Sequence, residues 1–244
     1  MKQSTPTKRL VIVHGDKGGV GKSTFARLLA DYYTQHAQDW RGYDTDPTNG
    51  HLLRFYSDNT KPINIHDPAS LDQLLNALET DGVAHWLVDL GAQSGDRLVQ
   101  WMAETDFLGV CEEMHIAVTI AFVISPIKDS TVLLKIVSDQ LGSGVSYVVV
   151  KNEATGRVFP IYDGSKTRAR LNEELGAVEI RMPEVLEHVY YKVDQLNLPW
   201  TAAVGSRELD LAERQRVKAF TRAAFAEIEK AAAVLIGKTS ASIT

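Results

Sequence analysis

The stretch "HGDKGGVGKST", His14 to Thr24, constrains this chain more than any other. The run "LVIVH" at 10–14 is short, apolar and ends at glycine, which reads as a buried strand. Residues 23–37 put Phe25, Leu28, Leu29, Tyr32 and His36 on one face, the period of a helix. Strand, glycine loop and helix in that order make a phosphate cradle. Close approach of phosphate to backbone N–H groups needs positions without Cβ atoms, which Gly18, Gly19 and Gly21 provide. The helix N-terminus adds its positive dipole end. Lys22 is placed to reach the β and γ phosphates, and Ser23 to hold Mg²⁺ through its hydroxyl. The expected nucleotide-binding segment is Gly18, Gly19, Val20, Gly21, Lys22, Ser23 and Thr24. At average composition, K-G-G-x-G-K-[ST] arises about once in ten million starting positions.

The rest of the chain repeats the strand–helix alternation. Further short apolar runs are "HWLVDLG", residues 116–125, "SYVVVK" and residues 178–180. Helical periods occupy 70–79, 95–104, 129–141, 184–196 and 208–236. A weak strand is expected before "GYDTDPTNG", because "DWRGY" has Arg41 and Gly42 in place of aliphatics. Residues 153–165 read as a loop beside the site. This pattern predicts an α/β fold: a doubly wound, mainly parallel sheet with helices on both faces. No linker rich in Pro, Gly or Ser divides the chain, so 1–244 is expected to be a single domain, with 1–8 and 237–244 flexible.

Net charge is −5, which argues against a bulk polybasic nucleic-acid binder. Cys111, the one cysteine, can form neither an intrachain disulfide nor a Cys/His metal framework, and a reducing cytoplasm is the expected compartment. "MKQSTPTKR" lacks an apolar signal core, and the longest apolar stretch, 116–125, is too short to span a bilayer as a helix.

The loop departs from the usual G-x-x-x-x-G-K-[ST]: Asp16 stands at the first glycine position and Lys17 follows. In this it resembles the deviant phosphate-loop ATPases of the ParA and MinD group, whose mark is K-G-G-x-G-K-[ST]. The resemblance implies a SIMIBI-like P-loop NTPase fold, ATP/ADP and Mg²⁺ as ligands, and a homodimer that sandwiches ATP. Lys17 would be the signature lysine that crosses to the partner's nucleotide, a cation delivered in trans as an arginine finger is. With Lys22 and Asp46 it would form the catalytic set. In "YDTDPTNG", Asp44 would help hold Mg²⁺ through water and Asp46 would orient the attacking water. Taken alone, D-x-D-P is common in turns.

Asp89 ends "HWLVDLG", at the ligand edge expected of a parallel sheet, and suits a second Mg²⁺-site carboxylate; Gly91 behind it allows close approach to the γ-phosphate. By resemblance Asn152 would read the adenine, since an amide donates and accepts at once, and Met182 and Pro183 would lie in the loop beside the base. An activating partner protein is expected. Arg214, Lys218 and Arg222 fall at i, i+4 and i+8 on the last long helix, a basic stripe suited to sequence-independent DNA contact, though Glu213, Glu227 and Glu229 dilute it. Arg157, Lys166, Arg168 and Arg170 form a second basic cluster. "IGKTSASIT" is short and polar, so no terminal membrane-anchoring helix is expected.

"DTDPTNGHLLRFY" and "VDLGAQSGDRL" also resemble the ParA-like ATPases that plasmids use for stability and conjugal transfer. The alternative reading is a metabolic ligase on the same fold, like dethiobiotin synthetase. A reductase of the nitrogenase-iron-protein kind needs more cysteines than Cys111 alone. A binding module with a dead site is also conceivable on this fold, but Lys22, Ser23, Asp46 and Asp89 are all present.

Overall fold

The computed structural model describes residues 8–15, 18–46 and 50–237. In its first half the chain runs through β1 (Lys8–Gly15), α1 (Lys22–Gln35), β2 (Trp40–Asp44), α2 (His51–Phe55), β3 (Thr60–Pro62), α3 (Pro68–Thr80), β4 (His85–Asp89), α4 (Gly95–Glu104) and α5 (Phe107–Glu113). The second half has β5 (Ile116–Ile124), α6 (Lys128–Leu141), β6 (Ser146–Asn152), α7 (Pro160–Asp163), α8 (Lys166–Glu173) and β7 (Val178–Met182). Four helices close the described chain: α9 (Glu187–Gln195), α10 (Trp200–Gly205), α11 (Leu211–Lys230) and α12 (Ala232–Leu235).

Among the described residues the seven strands form one sheet in the order β3-β2-β4-β1-β5-β6-β7, and every pairing is parallel. The expected doubly wound, mainly parallel sheet is present, with every described pairing parallel. Both faces are covered, as near-continuous apolar strands require. Alternation along β1 divides its side chains: Val11 and Val13 join the core under α1 and the C-terminal helices, while Leu10 and Ile12 join the core under α3, α4 and α6. This places the C-terminal strand ends, and the loops that leave them, along one edge.

Several local expectations are corrected. β2 is a full strand despite Arg41 and Gly42, because it is paired on both sides, to β3 and to β4. Arg41 turns outward and donates from Nη1 to the Asp58 carbonyl at 3.2 Å. Gly42 is needed: a Cβ there would stand 2.6 Å from Thr60 Oγ1. The three-residue edge strand β3 and the short helices α2, α5, α7, α8 and α10 carry too few residues to show a period. The helix expected over 208–236 begins at Leu211, where Asp210 and Glu213 close a capping box, and it breaks at Ala231 before α12. Lys8, expected in a flexible end, opens β1 and pairs with Ile116.

Long-range polar contacts tie the C-terminal helices to the sheet layers. The last carbonyls of α12 and its cap are met by side chains: Arg9 Nη2 on Ala233 at 2.9 Å, Thr119 Oγ1 on Val234 at 2.6 Å, Tyr33 Oη on Leu235 at 3.0 Å, and His85 Nε2 with Ile236 at 3.2 Å. On the other side of α1, the fully buried Arg27 donates from Nη1 to Asp194 Oδ1 at 3.2 Å, and Arg54 reaches the same oxygen at 2.6 Å.

Candidate functional site

The phosphate loop joins β1 to α1. Gly21 is the N-cap of α1, in the left-handed region at φ 101°, and no side chain caps this helix start. A Cβ on Gly21 would also stand 2.5 Å from Asn152 Nδ2 and 2.8 Å from Met182 Cε, so conformation and space both demand glycine. The uncapped amides face a cavity of about 210 Å³ lined by Gly18, Gly19, Gly21, Lys22, Ser23 and Thr24, with Asp46, Asp89 and Gly91 opposite. Val20 is buried and lines no part of it; its carbonyl instead accepts from Asn152. Lys17 and Asp16 lie outside the described residues.

The three acids are not equivalent. Asp44 and Asp89 end adjacent strands in direct register. Asp44 accepts at Oδ1 from the Asp46 amide and at Oδ2 from the Leu53 amide, both at 3.0 Å. It thereby ties Asp46 to α2, and it does not line the cavity. Burial raises its pKa, opposed by those amides. Asp46 lines the cavity. Asp89 is 3% exposed, and its Oδ1 has no hydrogen-bond partner among the described residues. Burial, followed by the neighbouring Asp44, pushes its pKa up to about 7, while the Ser23 hydroxyl bonded to it and Lys22 pull the other way.

A buried carboxylate oxygen without a partner beside a serine hydroxyl fits a divalent cation. Among the described residues no three His, Cys, Asp or Glu side chains cluster as a self-sufficient metal site. That suits Mg²⁺, which takes few protein ligands and completes its shell with phosphate and water. Ser23 would be the direct ligand, with Asp89 behind it and Asp44 one layer further back.

A second part of the cleft, about 650 Å³, continues past Gly21 and Thr24 to Asn152, Met182 and Pro183. The structure thus brings the expected base-side residues to the phosphate loop. Asn152 is partly committed: Nδ2 donates to the Val20 carbonyl at 2.8 Å, and Oδ1 accepts from the Ala154 amide at 3.0 Å. One N–H and one lone pair remain for a base edge. Sequence reasoning missed four residues here. Thr45 joins the two acid-bearing loops, its Oγ1 donating to the Asp89 carbonyl at 3.3 Å and accepting from the Gly91 amide at 2.8 Å. Tyr190 lines both parts of the cleft, with its hydroxyl 3.4 Å from Thr24 Oγ1. His51 lines the phosphate side, and His14 lies beneath the loop. Thr45 and His14 could have been found from their places at strand ends; nothing local marks His51 or Tyr190.

No family model matches the sequence. The chain is 26% identical over 211 residues to protein MobD of Acidithiobacillus ferrooxidans, covering 85% of this chain and 90% of that protein. It is 26% identical over 236 residues to protein TraL of Escherichia coli, covering 88% and 95%. Among solved structures it is similar to the septum site-determining protein MinD of Pyrococcus horikoshii complexed with Mg-ADP, at TM-score 0.55 and 16% identity over 92% of this chain and 97% of that one. The fold is that of MinD. The MinC:MinD cell division complex of Aquifex aeolicus contains a similar chain, at TM-score 0.51 and 16% identity over 90% and 96%. The resemblance read from the phosphate loop holds at the level of this MinD-type architecture.

The outer face of the MinD-type fold is less basic than the sequence implies. Lys218 and Arg222 on α11 are exposed. Arg214 is not part of an open stripe, because its Nη1 donates to the Ser206 and Leu209 carbonyls at 3.3 and 2.5 Å. The second cluster is largely paired: Arg168 with Glu179 at 2.6 Å, Arg170 with Asp139 at 2.5 Å, and Arg157 with Glu184 at 3.4 Å. Among the described residues no helix is long and apolar enough to cross a membrane.

Proposed function

We propose that this chain is a Mg²⁺-dependent ATPase that works as one cytoplasmic domain and uses ATP to close a sandwich homodimer. One observation carries the reading. The Ser23 hydroxyl, the unpartnered Asp89 oxygen and Asp46 meet the uncapped start of α1 at one cavity. Similarity to MinD complexed with Mg-ADP supports the ligand.

The phosphates sit on the α1 amides, and Lys22 balances their charge. Ser23, with Asp89 behind it, would hold Mg²⁺, which would supply neutralisation of phosphate charge. Asp46 orients the water that attacks the γ-phosphate. Thr45 holds the two acid-bearing loops together, so a change at the γ-phosphate is felt in both. Lys17 of one protomer reaches the nucleotide of the other. Asn152, Met182 and Pro183 receive the adenine.

The switch serves plasmid partition or stability, conjugal transfer, or another positioning process. Similarity over most of the chain to MobD and TraL supports that range. A partner protein accelerates hydrolysis, a proposal supported by the MinC:MinD complex of a similar fold. Non-specific DNA contact, where it occurs, falls to Lys218 and Arg222, with Arg214 serving the loop before α11.

The test compares wild type with Lys17→Ala by size-exclusion chromatography and ATP turnover, with Mg²⁺ and with chelator. Lys17→Ala should bind ATP yet fail to dimerise or hydrolyse. Wild-type behaviour in that variant refutes the trans lysine. Turnover that stays silent until a small organic acid or amine is added points to the ligase instead.

A further inference from the structure

A separate cavity of about 230 Å³ lies on the far side of the 91–94 loop from the nucleotide cavity. It is lined by His14, Gly15, Gly91, Ser94, Gly95 and Leu133. Gly91, which has no side chain, lines both cavities.

His14 is 3% exposed and stacks on Phe122 with ring centroids 5.0 Å apart. Its Nδ1 accepts the Gly15 amide at 2.7 Å, so in the neutral ring the proton sits on Nε2. Burial, followed by the nearby Lys22, pushes its pKa down to about 4, so the ring is neutral at physiological pH. That Nε2–H has no acceptor among the described residues. A Cβ on Gly95 would stand 2.3 Å from Nε2, so only glycine fits beside this donor. Gly95 also begins the ten-residue helix α4, whose N-cap Ser94 makes no side-chain cap. Just before it, Gln93 is held in the left-handed region at φ 61°.

A buried N–H donor and an uncapped helix start converge on one space. We propose that this cavity is a second oxyanion site, a station for inorganic phosphate leaving the nucleotide cavity past Gly91 while ADP still fills the base side. The proposal rests on the hydrolysis reading for the source of the phosphate, but the site itself would take the same tetrahedral oxyanion from solution. The neutral donors match an anion's lone pairs, and the helix end adds favourable potential. A cation would find these N–H groups pointing at it. Asp96, in the first turn and on the cavity wall, opposes anion binding and keeps occupancy short, as suits a station on an exit path.

Two arms test this. The first follows one turnover of ATP, with quenched-flow cleavage and a fluorescent reporter of free phosphate read in parallel. The second titrates inorganic phosphate into protein saturated with Mg-ADP. The variants are His14→Phe, which keeps a ring against Phe122 but removes both the Nε2 donor and the acceptor of the Gly15 amide, His14→Gln, whose amide offers a donor and an acceptor again, and Gly95→Ala, which fills the space beside Nε2 and leaves both histidine nitrogens in place.

Loss of one hydrogen bond to a charged group predicts about tenfold weaker phosphate binding and about tenfold slower release in His14→Phe and Gly95→Ala. Cleavage should stay within about twofold in Gly95→Ala, the variant that leaves the Gly15 amide bonded, and His14→Gln should recover part of the loss seen in His14→Phe. Release that keeps pace with cleavage, together with unchanged phosphate affinity in both damaging variants, overturns the proposal. If wild type cleaves no ATP, the hydrolysis reading fails, and the second arm alone still decides whether the site binds phosphate.

Discussion

Replacing Asp89 by asparagine should make the nucleotide-free protein more stable, by an amount that grows with pH. In the folded chain the Asp89 carboxyl is buried beside Asp44, and its pKa rises from 3.8 to about 7. A carboxyl with a raised folded pKa holds its proton more tightly folded than unfolded. Its unfavourable contribution therefore starts near pH 4, grows as pH rises towards 7, and is complete above that. At 1.36 kcal/mol per unit the full penalty is about 4 kcal/mol at pH 8, and at pH 5 it is about 2 kcal/mol. The Asp89→Asn variant has no ionisable group at this position, and its advantage over wild type in denaturant unfolding should widen by about 2–3 kcal/mol between pH 5 and pH 8. Magnesium and ATP should narrow the gap by stabilising wild type more than the variant. Unfolding curves of the two proteins that stay parallel from pH 5 to pH 8 would refute the claim that Asp89 is a desolvated carboxyl waiting for a cation.

Gly42→Ala should destabilise the fold by roughly 1–3 kcal/mol, because its methyl group meets Thr60, Trp40 and Leu52 at 2.6–3.2 Å, and thermal unfolding reads it. Asp194→Ala leaves the fully buried Arg27 without its carboxylate and should cost about 3 kcal/mol in denaturant unfolding, with part of the loss recovered in the double variant Arg27→Met/Asp194→Ala. Thr119→Val removes the donor to the Val234 carbonyl and should cost about 1 kcal/mol. It should speed amide exchange in α12 while nucleotide affinity, at the opposite edge of the sheet, stays unchanged.

Local pattern made much of this molecule legible. A glycine loop between an apolar run and a helical period identifies the phosphate cradle, because strand, turn and helix each leave a signature over a few residues. Apolar runs likewise mark β4, β5 and β6, whose side chains are buried on both faces. The base-side triad of Asn152, Met182 and Pro183 was legible only through resemblance, and the structure does bring it to Gly21.

What escaped is set by contacts distant along the chain. β2 reads poorly as a strand in isolation and exists because β3 and β4 pair with it. Asp44 reads as an acid that helps hold Mg²⁺ through water, and the two backbone amides on its carboxylate leave no signature in the sequence. Arg214 reads as part of a basic stripe, yet it is spent on the carbonyls before its own helix.

By itself the sequence determined that this chain builds a phosphate loop on a parallel α/β sheet, since spacing and periodicity are properties of neighbours along the chain. Only the tertiary structure decided which polar atoms stay without partners. Among the described residues, the Asp89 oxygen and the His14 nitrogen are left without partners because strands far apart in sequence end side by side and exclude water there.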